Sequence, residues 1–127
     1  MQQLKFLIQP GSYSLCRLDA SEEIPGWVYQ SAFYTISKSA HELSVICETK
    51  FVPHGIKRND DWRLLKIDAF LDLSLTGITA KFSAPLAAAG VNLCVIATFD
   101  TDYLMVKEEK LEIAINVLKQ AGFIINL

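Results

Sequence analysis

The sequence lacks most of the groups that metal, nucleic-acid or membrane chemistry would need. Only two histidines are present, His41 and His54, and neither has a cysteine or second histidine at ligand spacing, so no metal site is expected. The three cysteines, Cys16, Cys47 and Cys94, are scattered, odd in number and set in apolar runs. That pattern describes reduced, buried, small hydrophobes of a cytosolic protein. Lys and Arg number 12 against 14 Asp and Glu, a net charge of −2 with no basic stripe, which leaves no electrostatic footprint for nucleic acid. No apolar run reaches the roughly 18 residues of a membrane-spanning helix. The first ten residues start a strand almost at once and lack a signal-peptide layout, so a cytoplasmic protein is expected. Walker and Rossmann motifs are absent. Ser44 and His41 are not accompanied by a nucleophile elbow, and Cys47 has no basic neighbour in sequence to hold a thiolate. No catalytic residue and no cofactor are therefore expected.

What is present is apolar material in short runs. At 127 residues and 51% hydrophobic, the chain is one domain or two very small ones with a real core. Leu4–Gln9 and Ser12–Leu18 alternate around Pro10-Gly11, which predicts a hairpin. Ile24–Tyr29 is too interrupted by Pro25 and Gly26 for more than a turn or two of helix. Ala32–Ser37 and Glu42–Cys47 read as a second strand pair, His54–Asp61 as a polar linker, and Trp62–Leu71 as a strand.

The stretch from Leu75 to Val106 carries the clearest pattern. Thr76 is a candidate N-cap. Ile78, Phe82, Pro85, Leu86 and Ala89 recur at helical spacing, and Gly90 sits where a helix stops. Pro85 is an oddity inside that helix. Leu93–Phe99 is a strand with little polar on either face, Thr98–Asp102 a polar turn, and Tyr103–Val106 a further strand. Leu111, Ala114, Ile115 and Leu118, widened by Ile113 and Val117, make a second helical stripe that ends at Gly122 before a last strand at Phe123–Ile125. Ala-Gly-Val followed by Asn-Leu after the first helix is echoed by Ala-Gly-Phe and Asn126-Leu127 after the second. The C-terminal half therefore reads as β-α-β-β-α-β, a ferredoxin-like split βαβ. The N-terminal half reads as a reduced copy, its first helix shrunken and its second missing or replaced by the linker. The two-sided apolar strands call for a cover, either the other half or a second chain.

This order of elements, with Gly77-Ile78 opening the helix and Ala89-Gly90-Val91-Asn92 closing it, resembles the ACT domain, the amino-acid-sensing module of aspartate kinases. Glu42-Leu43-Ser44-Val45-Ile46-Cys47, Trp62-Arg63, Leu75-Thr76-Gly77-Ile78 and the run from Thr98 to Val106 are similar to the small bacterial tandem ACT proteins. That branch is related to the lysine-sensing part of aspartate kinase and to the animal cytosolic arginine sensors. The likeness covers nearly the whole chain; Ala97 and Met105 depart from the usual pattern. It implies an α+β fold of two ACT-like halves, antiparallel sheets with helices on one face: a reduced half at 1–53, a linker at 54–61 and an ACT domain at 62–127.

An amino acid presents a carboxylate, an ammonium and a side chain. A helix start at Gly77 offers free N–H groups and about half a positive charge for the carboxylate, with no Cβ in the way. Asp102 could take the ammonium. By resemblance, Ile78, Thr98 and Phe99 line the pocket, and Ser44 and Val45 close it from the other half. Each residue also has a plain structural reading. Thr76-Gly77 can be only a cap, Asp102 a turn residue, Asp100 a solvated one, and Ser44 a strand residue. The expected function is an amino-acid-binding regulatory protein that acts as a homodimer or on a regulated protein partner. The alternative is a non-catalytic interaction module with a vestigial pocket.

Overall fold

A computed structural model of the chain describes residues 3–71 and 76–126. Leu75, which opens the Leu-Thr-Gly-Ile motif, and Leu127, which closes the C-terminal echo, lie outside the described residues. The described residues form strands β1 (Lys5–Ile8), β2 (Tyr13–Leu18), β3 (Thr35–Lys38), β4 (Leu43–Glu48), β5 (Lys57–Ile67), β6 (Leu93–Ala97), β7 (Asp102–Lys107) and β8 (Ile124–Asn126), with helices α1 (Ile78–Ala88) and α2 (Leu111–Gln120). Short 3-10 turns lie at Gly26–Gln30, Thr49–Phe51 and Glu108–Lys110. The chain divides into two units, Met1–Pro10 with Arg63–Leu127, and Gly11–Trp62.

The first unit holds the expected β-α-β-β-α-β series, from the second half of β5 through α1, β6, β7 and α2 to β8. One strand is added to it. β1 lies between β5 and β8, antiparallel to β5 with Phe6 opposite Ile67, and parallel to β8 with Phe6 opposite Ile125. β7 pairs with β5 and β6, and β6 forms the edge. Phe6, Leu65, Ile67, Phe82, Leu86, Leu104, Val106, Ala114 and Leu118 share one buried cluster. Phe6 stands at its centre, edge-on to Phe82 at 5.7 Å between ring centroids and tilted against Phe123 at 5.2 Å. Each of the larger side chains among them contributes about 1.5–3 kcal/mol by leaving water.

Both helices end in the same way, and the sequence echo is the reason. Gly90 and Gly122 hold φ of 77° and 99°. Gly90 N–H donates to the Ala87 carbonyl and Val91 N–H to that of Leu86; Gly122 N–H donates to Lys119 and Phe123 N–H to Leu118. This is a Schellman stop, and the residue after each glycine packs into the core beside the carbonyl's owner. The start of α1 differs from expectation. Gly77 is the N-cap, at φ 80°, and Thr76 stands outside the helix, exposed. Ile113 is likewise exposed rather than part of the α2 stripe, because Ala114 and Leu118 already face the core one step round the helix.

The second unit is the reduced copy, but it is cut differently from the expected 1–53. Its strand order is β3-β4-β2-β5, with only the first half of β5 taking part, and all pairs are antiparallel. That is the same β-α-β-β-α-β order with each helix shrunk to a 3-10 turn. β1 and β2 do not form the hairpin that Pro10-Gly11 predicted; each pairs with β5 instead, Phe6 with Ile67 and Tyr13 with Trp62. The expected linker is also largely strand, since β5 starts at Lys57. Its polar residues belong to an edge strand of this unit, where charge is favoured. β5 ends at Ile67, short of the Leu71 that the sequence suggested.

Val28, Leu43, Val45, Cys16 and Leu18 form this unit's core. A β-bulge interrupts the β2–β5 ladder: Leu15 faces Asn59 and Tyr13 faces Trp62, so Asp60 and Asp61 together oppose Ser14. Asp61 takes up the extra residue at φ 67°. The buried Ser14 hydroxyl donates to Asp60 Oδ1 at 2.5 Å and meets Thr49 Oγ1 at 2.7 Å. Glu48 clamps the exit of the first 3-10 turn, its Oε1 accepting from Ala32 N–H at 2.7 Å.

Candidate functional site

In the first unit, the carboxyl end of β5 is fixed to the turn between β6 and β7. The buried Thr101 hydroxyl donates to the Ile67 carbonyl at 3.0 Å, and Leu71 N–H donates to the Asp100 carbonyl at 2.7 Å. Inside the turn, Thr98 N–H and its hydroxyl both donate to the Thr101 carbonyl, at 2.9 and 2.8 Å. Thr98 therefore shapes the turn and also lines a cavity beside it.

Two cavities flank this frame. One, of about 310 Å³, is lined by Lys66, Asp68, Ala69, Phe70, Thr98, Asp100, Thr101 and Tyr103. It brings two carboxylates together with one ammonium, and Lys66 Nζ lies 5.8 Å from the centre of the Tyr103 ring. The other, of about 730 Å³, is largely apolar; Leu4, Leu71, Ile78 and Phe123 line it, with Thr76 and Lys81 from the α1 end. Ala69 and Phe70 line both. Both volumes fall in the range of small-molecule sites.

The sequence-predicted residues divide between these places. Thr76 and Ile78 reach the larger cavity and Thr98 the smaller. Gly77 caps α1 and lines neither. Phe99 is 81% exposed at the tip of the turn and lines neither. Asp102 is half-buried at the start of β7, opposite Ala97, outside both linings. Ser44 and Val45 belong to the other unit: Ser44 is half-buried between Arg17 and Ser37, and Val45 is closed in that unit's core. Sequence reading missed Lys66 and Asp68 and set Asp100 aside. The signal available was the alternation Lys66-Ile67-Asp68 at the end of β5, which sets a charge on either side of a core residue.

Among the described residues no helix is long and apolar enough to cross a membrane, and no cluster of three or more His, Cys, Asp or Glu could hold a metal.

Comparison with known proteins agrees with this architecture. None of the curated proteins compared with the chain matches it. A protein of Agrobacterium tumefaciens solved by X-ray crystallography is 32% identical, with a TM-score of 0.93 over 100% of this chain and 95% of that one. A Vibrio cholerae protein of unknown function shares the fold at 20% identity and a TM-score of 0.76, covering 94% of this chain and 91% of that one. The regulatory subunit of aspartate kinase from Thermus flavus does so at 14% identity and 0.66, covering 94% and 99%. A model of an N-terminal domain matches residues 11–55, which fall in the second unit. The ACT-domain model matches residues 57–120, from the start of β5 to the end of α2, and the chain belongs to the ACT-domain family.

Proposed function

We propose that the chain is a non-catalytic regulatory protein that binds an amino acid at the carboxyl end of β5. One observation supports the reading: the smaller cavity is lined by both signs of charge, which suits a zwitterion, Lys66 its carboxylate and Asp68 with Asp100 its ammonium. Thr98 and Thr101 hold that frame through the hydrogen bonds described, and Thr76 and Ile78 at the start of α1 line the larger, apolar cavity. Asp68 and Asp100 replace Asp102 as the ammonium partners because they line the space and Asp102 does not. The module carries no output of its own, so ligand binding acts through association with a second copy or with a regulated partner. A cytoplasmic setting belongs to the same reading and rests on the scattered, odd cysteines.

The test is thermal unfolding of the purified chain against each of the twenty amino acids at millimolar concentration. A ligand at about 100 times its dissociation constant adds roughly 2.7 kcal/mol, a shift of several degrees. One or two hits are expected, and Asp100→Asn or Lys66→Met should weaken the hit at least about tenfold, the loss of one charge-assisted bond. Full affinity in both variants would move the site elsewhere; no hit at all would remove the sensor reading. A second reading, an interaction module, is favoured by Phe70 and Phe99, which are 88% and 81% exposed. It requires self-association that Phe99→Ser abolishes, without any amino-acid response.

A further inference from the structure

The larger cavity has a chemistry of its own. It shares only Ala69 and Phe70 with the smaller one, and the residues that line it all belong to the first unit. Its floor is continuous with the core: Phe123 is part of the buried cluster, and Leu4, Leu71 and Ile78 pack against it. Its two ends differ in sign. At the α2 end the last carbonyls already have donors. Gly122 N–H donates to Lys119 and Phe123 N–H to Leu118, and Gln3 Nε2 donates to the Gly122 carbonyl at 2.9 Å. At the α1 end the helix begins on Gly77, which has no side chain to cap it, and its first turn holds no acidic residue. Lys81, one turn further on, is the one charged side chain among the described residues lining the space. Phe70 stands at the rim with its ring left in water, 88% exposed.

We propose that this cavity is a second ligand site, for a small organic acid with an apolar body. The carboxylate sits at the start of α1 beside Lys81, and the chain or ring runs over Leu71 and Ile78 towards Phe123. The volume of about 730 Å³ takes a body of drug size. Burial of that body against the floor supplies the affinity, and the positive end sets the direction in which the ligand enters. A zwitterion is the wrong ligand, because no carboxylate among the described lining residues meets its ammonium. A neutral apolar molecule gains the burial and leaves the positive end unanswered. An apolar cation meets its own sign there. Phe70 closes over the bound body, so a ring that the free protein leaves in water is covered in the complex. The site uses neither Lys66 nor Asp100 and stands whether or not the smaller cavity takes an amino acid.

The experiment titrates decanoate, 1-decanol and decylammonium separately into the intact chain, carbon-13 labelled in its Ile and Leu methyl groups, with each probe kept below its micelle-forming concentration. Decanoate should move the methyl signals of Leu4, Leu71 and Ile78 and leave those of Ile36 and Leu43 in the second unit in place. It should bind at least about tenfold tighter than decanol, the gain of one charge-assisted bond, with decylammonium the weakest. Lys81→Gln should remove most of that advantage and leave decanol binding as it was. Phe70→Ser, a change at an exposed position, should weaken decanoate and decanol alike by several fold. No methyl shift with decanoate, shifts centred on the second unit, or equal affinity for the three probes would each overturn the proposal. So would a Lys81→Gln chain that binds decanoate as tightly as the unchanged one.

Discussion

Phe82 and Phe99 are the same side chain in opposite surroundings, and removing each in turn measures the core directly. Phe82 is fully buried on α1, against Phe6, in the cluster that joins both helices to the first unit's sheet. Truncation to alanine removes the transfer term and leaves a hole that rigid neighbours cannot fill, a loss of about 3–5 kcal/mol. Part of that is the edge-on pair with Phe6, of order 0.5–1.5 kcal/mol. For a chain of this size the loss corresponds to about 10–20 °C in unfolding temperature. Phe99→Ala deletes the same atoms from a residue that is 81% exposed and should change stability by no more than about 0.5 kcal/mol. Urea unfolding followed by far-UV circular dichroism gives both numbers. A loss under about 1 kcal/mol for Phe82→Ala would refute the placing of α1 on this core. A large loss for Phe99→Ala would mean that a second molecule covers the turn in solution.

Two further outcomes are expected. Gly90→Ala and Gly122→Ala each force a side chain into the left-handed region at a helix stop, and each should destabilise by about 1 kcal/mol in the same assay, with asparagine less damaging. The Ser21 hydroxyl and N–H both donate to Asp19 Oδ1, at 2.7 and 2.9 Å, and hold the Asp19 carboxyl below its ordinary 3.8. A lowered folded pKa gives stability that is present above the unfolded value and lost as pH falls through the folded one. A carboxyl carbon-13 titration should therefore place Asp19 below 3.8, and Ser21→Ala should return it toward that value.

The C-terminal series was legible because its signals are local. Ala-Gly followed by an apolar residue specifies a Schellman stop wherever it follows a helical stripe, and Phe82 and Leu86 share a face by spacing alone. The partners of β1 were not legible. Pro10-Gly11 makes a turn, but a turn does not say whether the strands on either side pair with each other or with a third strand far along the chain. The polar Asn59-Asp60-Asp61 run looked like a linker because an edge strand with a bulge has the composition of a loop. Part of the lining of the smaller cavity was hidden for the same reason. Thr76 was singled out as a helix cap and Thr98 by resemblance, and each lines a cavity, whereas Lys66 and Asp68 were passed over because a charged residue at a strand end has the same sequence signature whether it faces water or a cavity.

The position of β1 has a consequence for how the chain is made. It is synthesised before every other strand, yet it is sealed by Ile67 on one side and Ile125 on the other, 61 and 119 residues after Phe6 (67 − 6 and 125 − 6). The second unit has its own local pairs and can settle while the ribosome is still translating; the first cannot close until β8 has emerged. A nascent chain must therefore keep four apolar-rich residues, Lys5-Phe6-Leu7-Ile8, unpaired on one flank for most of its synthesis. Deleting Met1–Pro10 would remove the strand that joins β5 to β8.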